Sequence, residues 1–474
     1  MTGAGSEGPL SSLSLLLGAS QPALRLLCTI LLGYPLAFIH RFLLFEKSAT
    51  LQHLFFITCG LALGIFNYGF DILHSVFCVL VMYFILVTIG GTFKSVLISF
   101  FFLMGYLIYG YYITGTDEYD IKWSMPQCVL TLRLIGLAYD VYDGQKSEEE
   151  LSKDQKTTAL KKCPSLLEVA GHTYFFGGFM VGPQFPMKRY IDFIEGRFPG
   201  KDYQSGEPSC VTAGFRRLGL GIGVLAFYQI GNMIIPDKSL LSDAFMEYPL
   251  LLKLLIIGIW GKIFLYKYMA CWLISEGSCI ITGMTFNGKD KNGNNQWDGC
   301  ANVKLWDFSV TTTFEGIIKS FNINTNLWVA QYVFKRLKFL GNRLLSQAGS
   351  LIFLAIWHGL HSGYYVCFVS EFIVMYFEKD MENILEVRLP KLKAFLVGGY
   401  WRKIFVLVFL KIYVDIFMGY CLVSFAMLSY SKYMKVYSSV YFIGHFYYAW
   451  PFVSPIVKML IPKARVRDEK PKTQ

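Results

Sequence analysis

The chain has 474 residues, of which 54% are hydrophobic and only 16% charged, and its mean hydropathy is +0.43. Soluble proteins carry about 25% charged residues, so a soluble globular protein is excluded. The net charge of +11 sits beside apolar runs and in the C-terminal tail, which points to a membrane surface and away from nucleic acid.

A run of about 20 apolar residues is enough to cross a bilayer. Residues 1–22 form a tail rich in Gly, Ser and Leu without a basic leader, so the first apolar run, 24–39, is expected to be an anchor and not a cleaved signal peptide. Further spans are expected at 54–69, 72–89, 95–113, 218–235, 250–272, 351–377, 404–428 and 436–460. The stretches 128–141 and 166–184 are apolar but interrupted, fitting short spans, re-entrant segments or helices enclosed by protein. About ten crossings follow, and the fold class is an all-α polytopic membrane protein.

No polar block is long enough to bury a core of its own, so residues 23–461 are expected to form a single membrane domain, with 462–474 as a basic cytosolic tail. The main polar interruptions are 143–162, 197–209 and 287–307, the last containing the turn signal Asn292-Gly293. Gly219, Gly221 and Gly223 lie inside an apolar run with no strand before them, so helix packing explains them and a nucleotide does not.

Eleven cysteines are scattered without a CxxC pair, several within apolar runs, and no Asn-x-Ser/Thr sequon occurs. They read as small buried hydrophobes, and the missing sequon argues against large lumenal domains. Lys463, Arg465, Arg467, Lys470 and Lys472 follow the last apolar run, which places the C-terminus in the cytosol. Lys470 and Lys472 stand fifth and third from the end, a pattern similar to the dilysine retrieval signal of endoplasmic reticulum membrane proteins.

Seven histidines occur, and His358 stands apart because it lies within the uncharged run LIFLAIWHGLHSGYYVCF. An ionisable group at such depth is costly and marks a functional site by default. A neutral imidazole shielded from water is a usable base. On a continuous helix Gly359 and Gly363 would share a face open to a neighbour or ligand, and His361 would lie three residues from His358. No third ligand stands near this His-x-x-His pair, so no metal is expected.

Upstream, residues 321–342 open with Asn322, Asn324 and Asn326 and continue as an amphipathic, helix-like segment. Trp328, Tyr332 and Phe339 supply an apolar side, while Lys335, Arg336, Lys338 and Arg343 offer cationic heads. Anionic lipid headgroups or a phosphate-bearing ligand would both suit these cations. The carboxamides can donate and accept hydrogen bonds without carrying charge, and the residues alone do not choose among the three.

Trp357-His358-Gly359-x-x-x-Gly363-Tyr364, followed by Phe368, resembles the WHGxxxGYxxxF motif of the lysophospholipid branch of the membrane-bound O-acyltransferase family. That family's second catalytic position is an asparagine or aspartate just under forty residues before the histidine. Asn322 is 36 residues upstream (358 − 322), and Phe321 and Trp328 take the places of the flanking tryptophans in the sterol and diacylglycerol branch. Phe321 departs from that pattern. A Trp-Asp pair of the family is matched by Trp297-Asp298 or by Trp306-Asp307, the first being favoured, and a YxxxYFxxH pattern by Tyr437, Tyr441, Phe442 and His445.

The resemblance implies a bundle of about eleven helices around a central reaction chamber. It implies transfer of a polyunsaturated acyl group from acyl-CoA, a substrate and not a cofactor, to the sn-2 hydroxyl of lysophosphatidylcholine, and also of lysophosphatidylethanolamine and lysophosphatidylserine. His358 and Asn322 would be catalytic, with Trp357, Gly359, Gly363, Tyr364, Trp328, Lys335, Arg336 and His445 toward the substrates. The partners expected are acyl-CoA, lysophospholipid, the bilayer and a second copy in a homodimer, at the endoplasmic reticulum. Two rivals are the same fold acting on a sterol, diacylglycerol or protein acceptor, and a lipid transporter in which His358 relays protons.

Overall fold

A computed structural model describes residues 11–12, 14, 18–116, 121–198 and 210–463. The main helices are α1 (Gln21–Ile39), α2 (Ala49–Tyr68), α3 (Leu73–Ile89), α4 (Phe93–Thr114), α5 (Ser124–Asp143), α6 (Leu166–Thr173), α7 (Met187–Ile194), α8 (Cys210–Ile234) and α9 (Leu250–Thr282). They continue with α10 (Ile323–Val329), α11 (Arg343–His358), α12 (Ser362–Val387), α13 (Pro390–Val397), α14 (Tyr400–Met427), α15 (Tyr430–Ser439) and α16 (Trp450–Leu460). Among the described residues the only β pairing is two isolated bridges, Lys289 with Asn295 and Val303 with Phe321. The first bridge closes the expected turn at Asn292-Gly293, where Gly293 has φ 84°.

Several helices start where the sequence offers a cap. Ser20, Ser48, Thr92 and Asn342 accept from backbone N–H groups in the first turns of α1, α2, α4 and α11. Each satisfies a donor that a helix start leaves without a partner in its own helix. Among the described residues, five helical stretches are long and apolar enough to cross a bilayer: Gln21–Leu44, Ala49–Ile89, Phe93–Thr114, Cys210–Leu241 and Tyr400–Met427.

Three expected continuous segments are broken. The run 351–377 divides into α11 and α12 because Gly359 adopts φ 141° and ends the helix at His358. Gly359 and Gly363 therefore do not share one helix face. The run 436–460 divides into α15, a 3-10 turn Ile443–Ala449 and α16, since Tyr441 and Phe442 both take left-handed backbone, at φ 54° and 51°. Residues 321–342 form α10, a π turn Ala330–Phe334 and a 3-10 turn Arg336–Leu340 in place of one amphipathic helix.

The helices are described in two compact units: Met1–Ile230 with Leu265–Lys304 and Phe321–Leu360, and Gly231–Phe264 with Leu305–Ser320 and His361–Gln474. In the first, a core of Phe56, Phe175, Phe176, Tyr190 and Phe193 packs ring against ring. A Cβ at Gly60 on α2 would fall on the Tyr174 carbonyl, so glycine there permits close approach of two backbones. Gly221 likewise lies against Ile274 on α9, whereas nothing lies within 4 Å of a Cβ at Gly219 or Gly223. In the second unit a Cβ at Gly261 would fall on the Cα of Gly419, so these two glycines let α9 and α14 cross closely.

The interrupted stretch 166–184 is neither a span nor a continuous helix. After α6 the chain runs irregularly yet buried, with Tyr174, Phe175, Phe176, Phe179 and Met180 each at most 4% exposed. Non-helical backbone in such a place must find its partners inside the protein. Arg133, from the middle of α5, supplies many of them: Nη1 donates to the His172 and Thr173 carbonyls at 2.8 and 3.0 Å, Nη2 to Gly178 at 2.9 Å, and Nε to the Gln184 carboxamide at 3.3 Å. Trp272 Nε1 donates to the Val181 carbonyl at 3.1 Å.

Arg133→Met should therefore lower the thermal unfolding midpoint of the detergent-solubilised protein by several degrees, because each buried acceptor left unsatisfied costs about 1–3 kcal/mol. An unchanged midpoint would show that other groups hold this segment.

Candidate active site

The residues expected to be catalytic, Asn322 and His358, belong to the first unit together with Trp328, Lys335, Arg336, Trp357 and Gly359, while Gly363, Tyr364 and His445 belong to the second. His358 is the last residue of α11 and is half-buried. Its ring lies against Trp357, with centroids 4.6 Å apart. Trp357 is pinned twice: its indole Nε1 donates to the Cys128 carbonyl at 2.9 Å, and its carbonyl accepts from the Tyr111 hydroxyl at 2.7 Å. The φ of 141° at Gly359 is open to glycine and strained for other residues, so the Trp-His-Gly sequence anchors the ring on one side and turns the chain away on the other.

Asn322 opens α10 in left-handed backbone, φ 50° and ψ 44°, a conformation that asparagine tolerates better than most residues. A short segment, 300–303, lies alongside. Val303 bridges Phe321, the Ile323 N–H donates to the Asn302 carbonyl at 3.1 Å, and the Asn324 N–H donates to Asn302 Oδ1 at 2.9 Å. Asn302 Nδ2 donates to Asn322 Oδ1 at 3.3 Å. The other two asparagines are spent on the fold, since Asn324 Nδ2 donates to the Cys300 carbonyl at 3.0 Å and Asn326 Nδ2 to the Phe321 carbonyl at 2.9 Å. The Phe321 ring, where the related pattern has tryptophan, rests on Trp272 with centroids 5.1 Å apart.

Trp328 is buried and stacks on Phe353 of α11 at 5.5 Å and 22°. Its indole Nε1 has no hydrogen-bond partner among the described residues. Lys335 and Arg336, expected as cationic heads, both carry carboxylate partners. Lys335 pairs with Asp154, and Arg336 engages Asp143 with both terminal nitrogens, Nη1 at 2.9 Å, while lying 4.6 Å from the centroid of the Tyr139 ring. Tyr332 donates to the buried Asp140 at 2.7 Å. This side of the segment is thus fastened to the polar end of α5 and to the loop that follows, leaving Lys338 and Arg343 exposed.

Arg336→Ala should destabilise the protein by about 3 kcal/mol, because Asp143, whose side chain is 0% exposed, would lose its bidentate partner. A detergent-phase unfolding curve that does not move would show that Lys146, 3.4 Å from Asp143, suffices alone.

In the second unit Gly363 lies in the first turn of α12, where a Cβ would fall on the Ser424 carbonyl, and its N–H donates to the Leu428 carbonyl at 3.2 Å. Tyr364 and Phe368 meet the Phe425 ring at 5.0 and 6.4 Å. These motif residues close the contact of α12 with α14. His445 Nδ1 meets the Tyr420 hydroxyl at 2.5 Å, and its ring stacks on Tyr448 at 5.3 Å. Of the two Trp-Asp pairs, Asp298 accepts from Asn287 Nδ2 at 3.0 Å, whereas Trp306 is 77% exposed.

The sequence reading missed Asn302, Glu276 and Arg217. Arg217 Nη2 spans both Glu276 carboxylate oxygens at 2.8 and 3.0 Å, and Glu276 also accepts from the Asn302 backbone. Glu276 had a detectable signal, an acid inside the apolar run that ends α9. Asn302 had none, because its role depends on the pairing of 300–303 with 321–324.

The family model for MBOAT, the membrane-bound O-acyltransferase family, matches residues 108–423. The chain is 45% identical over 464 residues to the human protein named lysophospholipid acyltransferase 5, covering 96% of this chain and 93% of that one. The Drosophila melanogaster protein of the same name is 44% identical over 430 residues, covering 90% and 85%. The Schizosaccharomyces pombe protein named lysophospholipid acyltransferase is 29% identical over 474 residues, covering 97% and 92%.

Proposed function

The chain belongs to the membrane-bound O-acyltransferase family, and from that premise we propose that it is a lysophospholipid acyltransferase acting on the sn-2 hydroxyl of lysophosphatidylcholine. Lysophosphatidylethanolamine and lysophosphatidylserine are further acceptors, and acyl-CoA with a polyunsaturated chain is the donor. The observation that carries this reading is similarity along 96% of the chain to a protein named lysophospholipid acyltransferase 5.

The chemistry assigned to His358 follows from its position. A glycerol hydroxyl is a poor nucleophile and a thioester a good acyl donor, so the imidazole takes the hydroxyl proton as the oxygen attacks the thioester carbonyl. The new C–O bond forms, the C–S bond breaks, and the proton passes from the imidazolium to the departing thiolate, releasing free coenzyme A. The carbonyl end of α11 carries partial negative charge that stabilises the imidazolium while it exists. Asn322 serves the oxygen of the thioester carbonyl as negative charge gathers there. No acyl-enzyme is needed.

The enzyme is assigned to the endoplasmic reticulum membrane with a cytosolic C-terminus. Two features support this orientation: the tail, whose residues from Arg465 onward lie outside the described residues, and the α12–α14 connection with the first turn of α14, which together carry Arg388, Lys391, Lys393, Arg402 and Lys403.

Purified protein supplied with radiolabelled acyl-CoA and a mixture of lysolipids, sterol and diacylglycerol should yield labelled diacyl phospholipid. Labelled sterol ester or triacylglycerol as the main product would overturn the acceptor assignment.

A further inference from the structure

Asparagine side chains can turn either face outward, and the direction chosen decides whether the group presented is a donor or an acceptor. At position 322 the surrounding bonds settle it. The Asn324 backbone N–H can only donate, so the atom of Asn302 that receives it at 2.9 Å is the oxygen. The remaining atom of the Asn302 carboxamide is then the nitrogen, and what it meets at 3.3 Å on Asn322 must be the oxygen. The Asn322 NH2 group is thereby turned away from segment 300–303, and it has no hydrogen-bond partner among the described residues.

Resting on the catalytic reading of Asn322, we propose that Asn302 is a positioning residue that locks the Asn322 carboxamide with its NH2 toward the reacting thioester carbonyl. Asn322 then acts as a hydrogen-bond donor to the developing oxyanion, and not as an acceptor that orients the His358 ring. The lock is built into the fold. Asn302 is 4% exposed, its carbonyl accepts from Ile323, and its backbone is held by Glu276, which is 1% exposed and is neutralised by Arg217 at 2.8 Å. Glu276 and Arg217 face this segment, Asp298 acts on Glu276 from the same loop, and Arg189 and Arg133 act on Cys300 at the start of the segment.

Asn302→Asp tests the lock. An aspartate can still accept from the Asn324 N–H, but in ionised form its second oxygen accepts where a donor stood, so the Asn322 carboxamide turns over. Once protonated, the same side chain donates again and restores the original direction. At about pH 8 the variant should lose about 10²-fold in kcat, the effect of removing one oxyanion donor, with both KM values within about 3-fold of wild type. Its kcat relative to wild type should then recover by about 10-fold as the pH falls toward about 6, within the range that buried carboxyls reach. Wild-type kcat throughout, or a loss of the same size at every pH, overturns the proposal.

Asn322→Asp provides a test that leaves Asn302 intact. One of its oxygens keeps the bond from Asn302 Nδ2, and the other presents an acceptor where a donor is required. This variant should be as inactive as Asn322→Ala; more than about a tenth of wild-type kcat would show that an acceptor suffices and would overturn the donor role. Failure of the underlying reading looks different, because Asn322→Ala would then turn over normally.

Discussion

His358→Ala should leave a protein that extracts and elutes like wild type but has lost kcat by about 10²- to 10⁴-fold, the contribution typical of a positioned acid–base group. The loss is expected on turnover more than on assembly, because Trp357 holds this end of α11 through Cys128 and Tyr111 whatever stands at position 358. The ring lies against Trp357 at 4.6 Å, tilted by 42°, so its removal also forfeits some packing, which a thermal unfolding curve should register as a small shift. The decisive measurement is single-turnover acyl transfer with saturating acyl-CoA and lysophosphatidylcholine. Turnover above a tenth of wild type would remove His358 from the chemistry.

Asn322→Ala should reduce kcat by about 10²- to 10³-fold, and the comparison with its two neighbours makes the test specific. Asn324 and Asn326 donate their side-chain nitrogens to the Cys300 and Phe321 carbonyls, so alanine there should lower stability while the surviving folded protein keeps its turnover per molecule. Asn322 spends only its oxygen on the fold. Alanine at 322 also relinquishes a residue suited to φ 50°, so Asn322→Gly belongs in the same series: it relieves the backbone and should still be inactive. An inactive Asn324→Ala with unaltered unfolding would move the catalytic position by two residues.

The sequence by itself determined that the chain lives in a bilayer, since long apolar runs and few charges leave no other solvent for them. It also determined where chemistry should be sought, because an ionisable His358 amid uncharged residues is costly unless used, and because all six specified residues of the motif around it are matched. Apolar runs located several of the long helices to within a few residues, as with 95–113 inside Phe93–Thr114 and 404–428 beside Tyr400–Met427.

Hydropathy could not see the breaks, because they are made by single backbone angles: φ 141° at Gly359, and left-handed Tyr441 and Phe442. Only the tertiary structure decided which end of each asparagine is bonded within the fold, and the reason is physical. Sequence specifies that a carboxamide has a donor end and an acceptor end, but which end is consumed depends on the neighbour that folding delivers, here Asn302 from a loop 20 residues upstream. The same holds for Lys335 and Arg336, which composition offers as cations and which the fold neutralises with Asp154 and Asp143.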